Sequence, residues 1–509
     1  MIPAHDAAGP PRLAGPSSQC VNLRRTLMKK FLHTNEQDAG ELARFGYPQQ
    51  LRRSLGAFSS FAIAFSLISI NTGIFANFRH GFQQVGPGIV WSWLLVLGGQ
   101  TLVALVMSRL AVTFPLAGYG YQWSARLVNP HFGFFTGWLL LTQFLTGFPA
   151  VCSALATSLC AFFWPEGTAP MTVAWFTALV ILLVTLIHLF GMRLAAWLNN
   201  AGVYAELAGV ICITVALFVL LDGREIAWER LTDYRNYGTG QTSFFSAFAL
   251  SLLMGAWCLT GFEAAADLAE ETHNPRRAVP RAMLISLLGS GLLGLVLLVG
   301  IVLSIGDVRA AQGQDSPLIA VLQIKFGTRG LAAVLIVVAV SIFACAIASL
   351  AAASRLLFSL SRDRMLPGAE WLRRVEPQHQ TPRNAVLLVW LLSTIVVLLL
   401  RQTDLISSVS AVAGYLGYGG IMLAALLAKT SSAGSRGWTL LRWLALLWTL
   451  ALVLALTVPP TDLPGWNAKH VPAWATIAAL LAGVAIYLGI IRRRITIGVA
   501  GPPSEKGDA

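Results

Sequence analysis

Apolar runs of about 20 residues recur along this chain, each long enough to cross roughly 30 Å of hydrocarbon, and they decide what it can fold into. We read twelve, near 56–78, 87–112, 132–164, 171–191, 196–221, 243–266, 282–305, 329–359, 384–401, 404–428, 438–458 and 473–491. Lipid tails offer the backbone no hydrogen bonds, so such runs must be helices that satisfy their own N–H and C=O groups. Charged residues are 12% of the chain, about half the roughly 25% of a soluble protein, and they cluster between the runs. The reading is an all-α integral membrane protein with twelve transmembrane helices in a lipid bilayer. A soluble enzyme, a disordered chain and a secreted disulfide scaffold are excluded.

The net charge of +13 does not indicate nucleic acid, because the basic residues sit between apolar runs instead of lining one face. The cysteines (Cys20, Cys152, Cys160, Cys212, Cys258, Cys345) show no CxxC or CxxH spacing, and no paired-His metal motif is present. Residues 1–54 are polar and basic without an apolar core of signal-peptide type. Counting Lys and Arg in alternate loops puts 27 on one side and 9 on the other. The positive-inside rule then predicts cytoplasmic N and C termini in a cytoplasmic (inner) membrane. The expected organisation is an N-terminal tail over 1–54, a ten-span core over 55–428, spans eleven and twelve within 429–494, and a C-terminal tail over 495–509.

Two spans carry interruptions at corresponding places. The first holds Ser69-Ile70-Asn71-Thr72-Gly73, and the sixth holds Trp257-Cys258-Leu259-Thr260-Gly261-Phe262-Glu263. They lead two five-span halves, about 55–221 and 243–428, a pattern that points to an inverted-repeat transporter binding near the midplane. An unwound helix persists in hydrocarbon only where its freed backbone groups line a cavity. Amides around Thr72, Gly73 and Ile74 would start a new half-helix whose positive end suits a carboxylate. Carbonyls around Ser69, Trp257 and Thr260 would suit an ammonium, with Trp257 as an apolar wall or cation–π face. The candidate substrate site is therefore Ser69, Ile70, Asn71, Thr72, Gly73, Ile74, Trp257, Thr260 and Gly261, for a zwitterion such as an amino acid.

At these residues the sequence resembles the amino acid–polyamine–organocation permease superfamily, within it the amino acid/choline branch that includes GABA permeases. The resemblance is carried by Leu42-Ala43-Arg44-Phe45-Gly46-Tyr47, Leu51-Arg52-Arg53-Ser54, Phe65 through Phe75, Pro115 through Trp123, and Gly261-Phe262-Glu263. Its most specific part is Ala269-Glu270-Glu271-Thr272-His273-Asn274-Pro275-Arg276-Arg277-Ala278-Val279-Pro280-Arg281. It implies the fold of sodium-coupled leucine transporters: a LeuT-like 5+5 inverted repeat with helices 1 and 6 broken, plus two extra C-terminal helices. It also implies that Thr72 and Gly73 hold a substrate carboxylate, that Ser69, Trp257 and Thr260 meet the amino end, and that Glu263 gates or couples. One departure stands out. Where the family often has an acidic residue at the end of span two, this chain reads Met107-Ser108-Arg109-Leu110-Ala111.

Glu206, about ten residues into span five, is a carboxylate at membrane depth, which must be paired, protonated or functional. With Glu263 it is the candidate for coupling, the coupling ion being H+ and no other cofactor being implied. His188 on span four reads as a packing residue. Asp267, Glu270 and Glu271 are expected to meet Arg276, Arg277 and Arg281 in the following linker. Gly289-Ser290-Gly291-Leu292-Leu293-Gly294 matches a dinucleotide-binding pattern but lacks the preceding strand. The expected function is secondary transport of an amino acid or related amine such as GABA by alternating access. An exchanger, a choline or polyamine permease and a transporter-like nutrient sensor are the alternatives, and ligands shared by spans one and eight (Ser341, Ser349, Ser354) keep sodium open. Nothing suggests catalysis.

Overall fold

A computed structural model describes residues 40–164, 168–221, 228–232, 244–314, 316–428, 436–457 and 471–504. The first 39 residues of the expected N-terminal tail, Cys20 among them, and residues 505–509 of the C-terminal tail lie outside the described residues.

The chain folds into helices, and the isolated Leu55–Thr272 bridge is the lone strand-type pairing among the described residues. The first span is split into α1 (Ala57–Ile68) and α2 (Ile70–Val85), and α3 (Ile89–Thr113) follows it. A short α4 (Tyr119–Leu127) leads to α5 (Pro130–Phe163), α6 (Pro170–Leu189) and α7 (Met192–Val219). The sixth span is α8 (Phe244–Cys258) and the one-turn α9 (Ala264–Asp267), followed by α10 (Pro275–Leu303) and a short α11 (Val308–Gln312). Then come α12 (Pro317–Arg362), a short α13 (Ala369–Leu372), α14 (Arg383–Leu400) and α15 (Thr403–Leu427). The last are α16 (Arg436–Thr457), α17 (Val471–Ile486) and the short α18 (Arg492–Thr496).

Ten helical stretches among the described residues are long and apolar enough to cross a membrane. The expected twelve differ from this count for two physical reasons. The first two spans run together as Ala57–Thr113, and the sixth is interrupted after Phe244–Cys258, short of membrane length.

Local chemistry explains several boundaries. Asn129 caps α5 by accepting the Phe132 N–H at 2.9 Å, and Pro130 occupies the first turn where its missing N–H costs nothing. Within α12, Gly327 adopts φ 66° and ψ 178°, a conformation restricted to glycine, so the membrane-length helix begins just after it.

Packing divides the helices into two groups. In one, α2 packs on α8, while α3 packs on α8 and α10, and α10 on α1. In the other, α5 and α7 pack on α12, and α6 on α5 and α14. Two of the three glycines of the dinucleotide-like motif are packing devices: Trp93 of α3 lies against Gly294 and donates its indole N–H to the Gly291 carbonyl at 2.9 Å.

The two terminal segments meet on one face of the protein. A Cβ on Gly46 would lie 2.8 Å from Pro503, and the Gly501 amide donates to the Asp363 carbonyl at 2.9 Å. Beneath them, loop and helix ends are locked by buried charge. Arg355 of α12 pairs with Glu271 at 2.7 Å with both side chains excluded from solvent. Arg362 binds Glu270 in bidentate fashion at 2.8 and 2.9 Å and lies 3.8 Å from the Tyr47 ring centroid. Asp363 accepts from Tyr47, Tyr121 and Gln122 at 2.7–2.9 Å. Burial raises the Asp363 carboxyl above its ordinary range, while Arg362 and those three donors oppose the rise.

This corrects the expected linker pairing. Glu270 and Glu271 take arginines from α12 because Arg277 and Arg281 are exposed on α10 and Arg276 reaches Glu41 at 3.0 Å. Arg109, the charge-reversed position, turns away from this network and stacks 4.1 Å from the Trp438 ring centroid.

Removing one partner of a buried pair leaves an uncompensated charge. Arg355→Met is therefore expected to cost about 3–5 kcal/mol, read as a lower melting temperature in detergent. Arg355→Met with Glu271→Leu should recover most of that loss.

Candidate functional site

The first break is one residue long. Ser69 sits at φ 24° and ψ 100°, the left-handed side that disfavours any side chain, while α1 ends at Ile68 and α2 restarts at Ile70. A strained residue of this kind persists only when its surroundings hold it. Here Glu206 does: Ser69 Oγ donates to Glu206 Oε1 at 2.9 Å, and the Asn71 amide points at the same oxygen at 3.4 Å. Ser69 Oγ also accepts from the Thr72 hydroxyl at 2.7 Å and the Thr72 amide at 3.3 Å, and the Ser69 carbonyl accepts the Gly73 amide at 3.0 Å.

The amides around Thr72 and Gly73, expected to receive a substrate carboxylate, are paired within the protein in this structure. A serine cap lets the helix restart at once, so those amides are already paired, and the positive end of α2 faces the chain's own carboxylate. Asn71 turns its amide nitrogen to Ser341 Oγ at 3.0 Å. At the other side of the break, the bared Ile68 and Leu67 carbonyls accept from the Cys258 and Cys345 thiols at 3.3 and 3.5 Å.

The second break runs over Leu259–Glu263. Gly261 adopts φ 98° and a Cβ there would meet Leu67 Cγ at 2.7 Å, so both backbone conformation and the neighbouring break require glycine. Glu263 folds back to accept the Gly261 amide at 3.0 Å. Its other oxygen accepts from Tyr418 at 2.5 Å and from Gln143 at 3.4 Å. The Leu259 carbonyl is taken by Gln100 at 3.0 Å and the Trp257 carbonyl by the Thr260 hydroxyl at 2.7 Å. Each break is thus closed by a carboxylate drawn onto its bared backbone.

Between the breaks lies a cavity of about 40 Å³, lined by Thr72, Gly73, Trp257, Thr260 and Gly261 together with Gln143 and Phe148 of α5. It is room for roughly three waters. Of the sequence candidates, the structure brings those five to the cavity wall. Ser69 and Asn71 lie off it, turned to Glu206 and Ser341, and Ile70 and Ile74 are buried in the core. Glu263 stands behind Gln143. His188 is buried, its Nδ1 on the Val184 carbonyl one turn back.

Sequence reasoning passed over Gln143, Phe144, Phe148, Cys345 and Ser410, which complete the cavity. Gln143 was visible as the polar interruption of an otherwise apolar stretch of span three, next to Thr142. Its Oε1 has no hydrogen-bond partner among the described residues. None of the lining residues carries a formal charge.

On the face away from the termini, a vestibule of about 610 Å³ is lined by Arg79, His80, Thr157, Ser158, Arg401 and Asp404 among others. Hydroxyl and amide contacts, Ser153–Thr403 at 2.7 Å and Ser407–Asn77 at 3.1 Å, lie on the helices that run from it to the cavity.

Residues 55–484 match the family described as amino acid permease, and the chain belongs to that family. Among its relatives, the amino-acid permease BAT1 of Arabidopsis thaliana is 26% identical over 83% of this chain and 89% of its own length. A BAT1 homolog of Oryza sativa subsp. japonica is 28% identical over 69% of this chain and 72% of its own. The thiamine transporter thi9 of Schizosaccharomyces pombe is 25% identical over 71% and 68%. Among solved structures, a Na+-coupled sialic acid symporter in a substrate-bound outward-open state superposes with a TM-score of 0.52. That likeness covers 81% of this chain and 92% of the symporter at 12% identity, and it carries the fold alone. The protein is a multi-pass membrane transporter and not an enzyme, with the leucine-transporter-type architecture that the sequence implied.

The two breaks are in contact: a Cβ on Gly73 would lie 2.2 Å from Cys258 Sγ and 2.3 Å from its Cβ. Gly73→Ala is therefore expected to insert and fold but to lose substrate binding. Because the clash includes the Cys258 Cβ, adding Cys258→Gly should restore binding where Cys258→Ala does not. Binding assays on detergent-purified variants check this, and wild-type affinity in Gly73→Ala would refute it.

Proposed function

We propose that this protein moves an amino acid or related amine such as GABA across the cytoplasmic membrane by alternating access, coupled to protons. The observation that carries this reading is the uncharged cavity between two helix breaks, with a carboxylate closing each break.

The cavity's chemistry supports an amine-bearing substrate. Gln143 Oε1 is an unused acceptor, and Trp257, Phe144 and Phe148 offer aromatic faces to an ammonium group. The hydroxyls of Thr72, Thr260, Ser349 and Ser410 already donate within the protein. Small volume favours a small solute over a bulky one such as the thiamine named for one relative.

The 27-to-9 distribution of basic residues supports a cytoplasmic assignment for the face where the termini meet. On that assignment the cytoplasmic side is closed by the Arg355–Glu271 and Arg362–Glu270 pairs, and the outer side is separated from the vestibule by a few hydroxyl contacts. Alternating access then consists of the group containing spans one, two, six and seven rocking against the group containing spans three, four, five, eight and nine, with the two five-span halves as the repeated units. Glu206 Oε1 is engaged by two donors while Oε2 has no partner among the described residues. A proton on Oε2 would complete it. Unpartnered Asn71 Oδ1 and Glu206 Oε2 beside Ser341 would also suit a sodium ion, the second reading.

Proteoliposome uptake of labelled GABA, neutral and basic amino acids and choline, under an imposed pH or sodium gradient, separates these readings. We expect saturable accumulation driven by the pH gradient. Glu206→Gln should abolish that accumulation and leave substrate exchange largely intact. Normal accumulation by the variant, or accumulation driven by sodium alone, would remove Glu206 from proton coupling.

A further inference from the structure

A further cavity, of about 510 Å³, lies on the side of Glu271, apart from both the central cavity and the vestibule. Three places in the chain wall it: Arg52 and Ser54 ahead of α1, the α6–α7 turn with the start of α7, and residues 378–380 ahead of α14. Gly191 in that turn adopts φ 112°, and a Cβ there would lie 3.1 Å from His379 Cδ2. Glycine thus makes the turn and lets the loop before α14 close against it.

The cavity is cationic. Arg52 and Arg193 are exposed in it, and neither has a partner among the described residues. Glu271, the one acid among the described lining residues, is held by Arg355 at 2.7 and 3.3 Å and adds no free negative charge. His379 has its Nδ1 3.0 Å from Glu376 Oε2, which leaves Nε2 as the ring's unengaged nitrogen. The Ser54 hydroxyl and the Gln378 amide supply neutral donors, and no side chain caps the positive end of α7. Two unpaired guanidinium groups with neutral donors and no free acid suit an anion, and their planar forks match phosphate oxygens best.

Position selects the source of that phosphate. α6 ends at Leu189 and α7 begins at Met192, so the turn lies where two membrane-length helices leave the hydrocarbon. Beside the arginines, Phe190 and Trp197 are 70% and 66% exposed. Basic and aromatic side chains together mark the headgroup level, and basic pockets between spans take anionic headgroups. The volume falls within the range of ligand pockets.

We propose that this cavity binds the headgroup of an anionic lipid from the adjoining leaflet, its phosphate between Arg52 and Arg193 and its acyl chains along Phe190, Leu194 and Trp197. Arg52 and Ser54 lead into span one, and the Ser54 amide is tied to the Glu271 carbonyl at 3.0 Å. Arg193 starts span five and His379 precedes span nine, in the opposite packing group. A phosphate shared between Arg52 and Arg193 therefore joins the two groups and holds this face closed. That effect rests on the rocking motion proposed above, whereas binding does not.

Detergent-purified full-length protein, titrated with phosphatidylglycerol or phosphatidylcholine and read by native mass spectrometry, tests the site. Phosphatidylglycerol should be retained in preference. Arg52→Gln and Arg193→Gln should each weaken that retention about fivefold, the share of one arginine near an anionic surface. Both side chains are exposed and unpaired, so without anionic lipid the variants should melt as the wild type does. Arg277→Gln, at an exposed arginine of α10 outside the cavity, should change nothing. Equal weakening by Arg277→Gln, or none by the cavity variants, overturns the site. Inorganic phosphate that displaces the retained lipid, or raises the melting temperature as much, would make a soluble phosphate the ligand and overturn the lipid assignment. In nanodiscs of phosphatidylcholine, adding phosphatidylglycerol should slow hydrogen exchange at residues 52–55 and 190–194. Unchanged exchange with binding intact refutes the joining of the two groups and leaves the site standing. None of these measurements depends on the substrate or the driving ion, so transport could fail as read above without touching them.

Discussion

The structure depends on one contact: a carboxylate from the fifth span seated on the strained serine where the first span breaks. Breaking a helix in hydrocarbon bares amides and carbonyls that lipid cannot satisfy. Ser69 adds about 1–3 kcal/mol of backbone strain. Hydrogen bonds to a charged group contribute about 1.5–3 kcal/mol each, so the two donors converging on Glu206 Oε1 offset the strain. Without them the first span has every reason to run straight. The cavity exists because it does not.

The second break uses the same device with different parts. Glu263 reaches back two residues to the Gly261 amide, and Tyr418 and Gln143 hold it there. Gly261 carries the positive φ without strain, so this break needs no carboxylate from another helix to hold that residue, although Gln100 of α3 takes its Leu259 carbonyl. It needs the tyrosine of span ten and the glutamine of span three to hold its carboxylate. Through Gln143, which also lines the cavity, the state of Glu263 is felt at the cavity wall.

Much of this was legible in the sequence, and the failures have physical causes. Apolar runs gave the membrane class, because hydrocarbon thickness sets a length that composition cannot hide. Both breaks were located from Ser, Thr, Asn and Gly within apolar runs, and Glu206 and Glu263 stood out as charges at depth. What was missed is pairing. Glu206 meets Ser69 across 137 residues, and no local pattern encodes that distance. Glu271 has arginines five and six residues on, yet it pairs with Arg355 across 84 residues, since α10 carries the nearer ones outward. The first break was read as several residues unwound, when a single capped serine suffices. Gln143 escaped because one amide in an apolar helix resembles a packing residue until the opposing helix is known.

Because each break is closed by an ionisable group, the geometry of the breaks and the protonation of the acids form one variable. A neutral carboxylic acid accepts hydrogen bonds worth about 0.5–1.5 kcal/mol each, against about 1.5–3 for the anion. A proton on Glu206 would thus weaken its hold on Ser69 and Asn71 by roughly 2 kcal/mol, a factor of about 30 in the balance between closed and open forms of the break. That lies within the 1–3 kcal/mol usual for coupling between sites. A substrate lodged against Thr72 and Gly73 bears on the same backbone from the other side. Ion and substrate therefore need not touch to be linked; both act on the point where α1 and α2 meet. Reciprocity then requires that substrate binding alter proton affinity at Glu206 by the same factor.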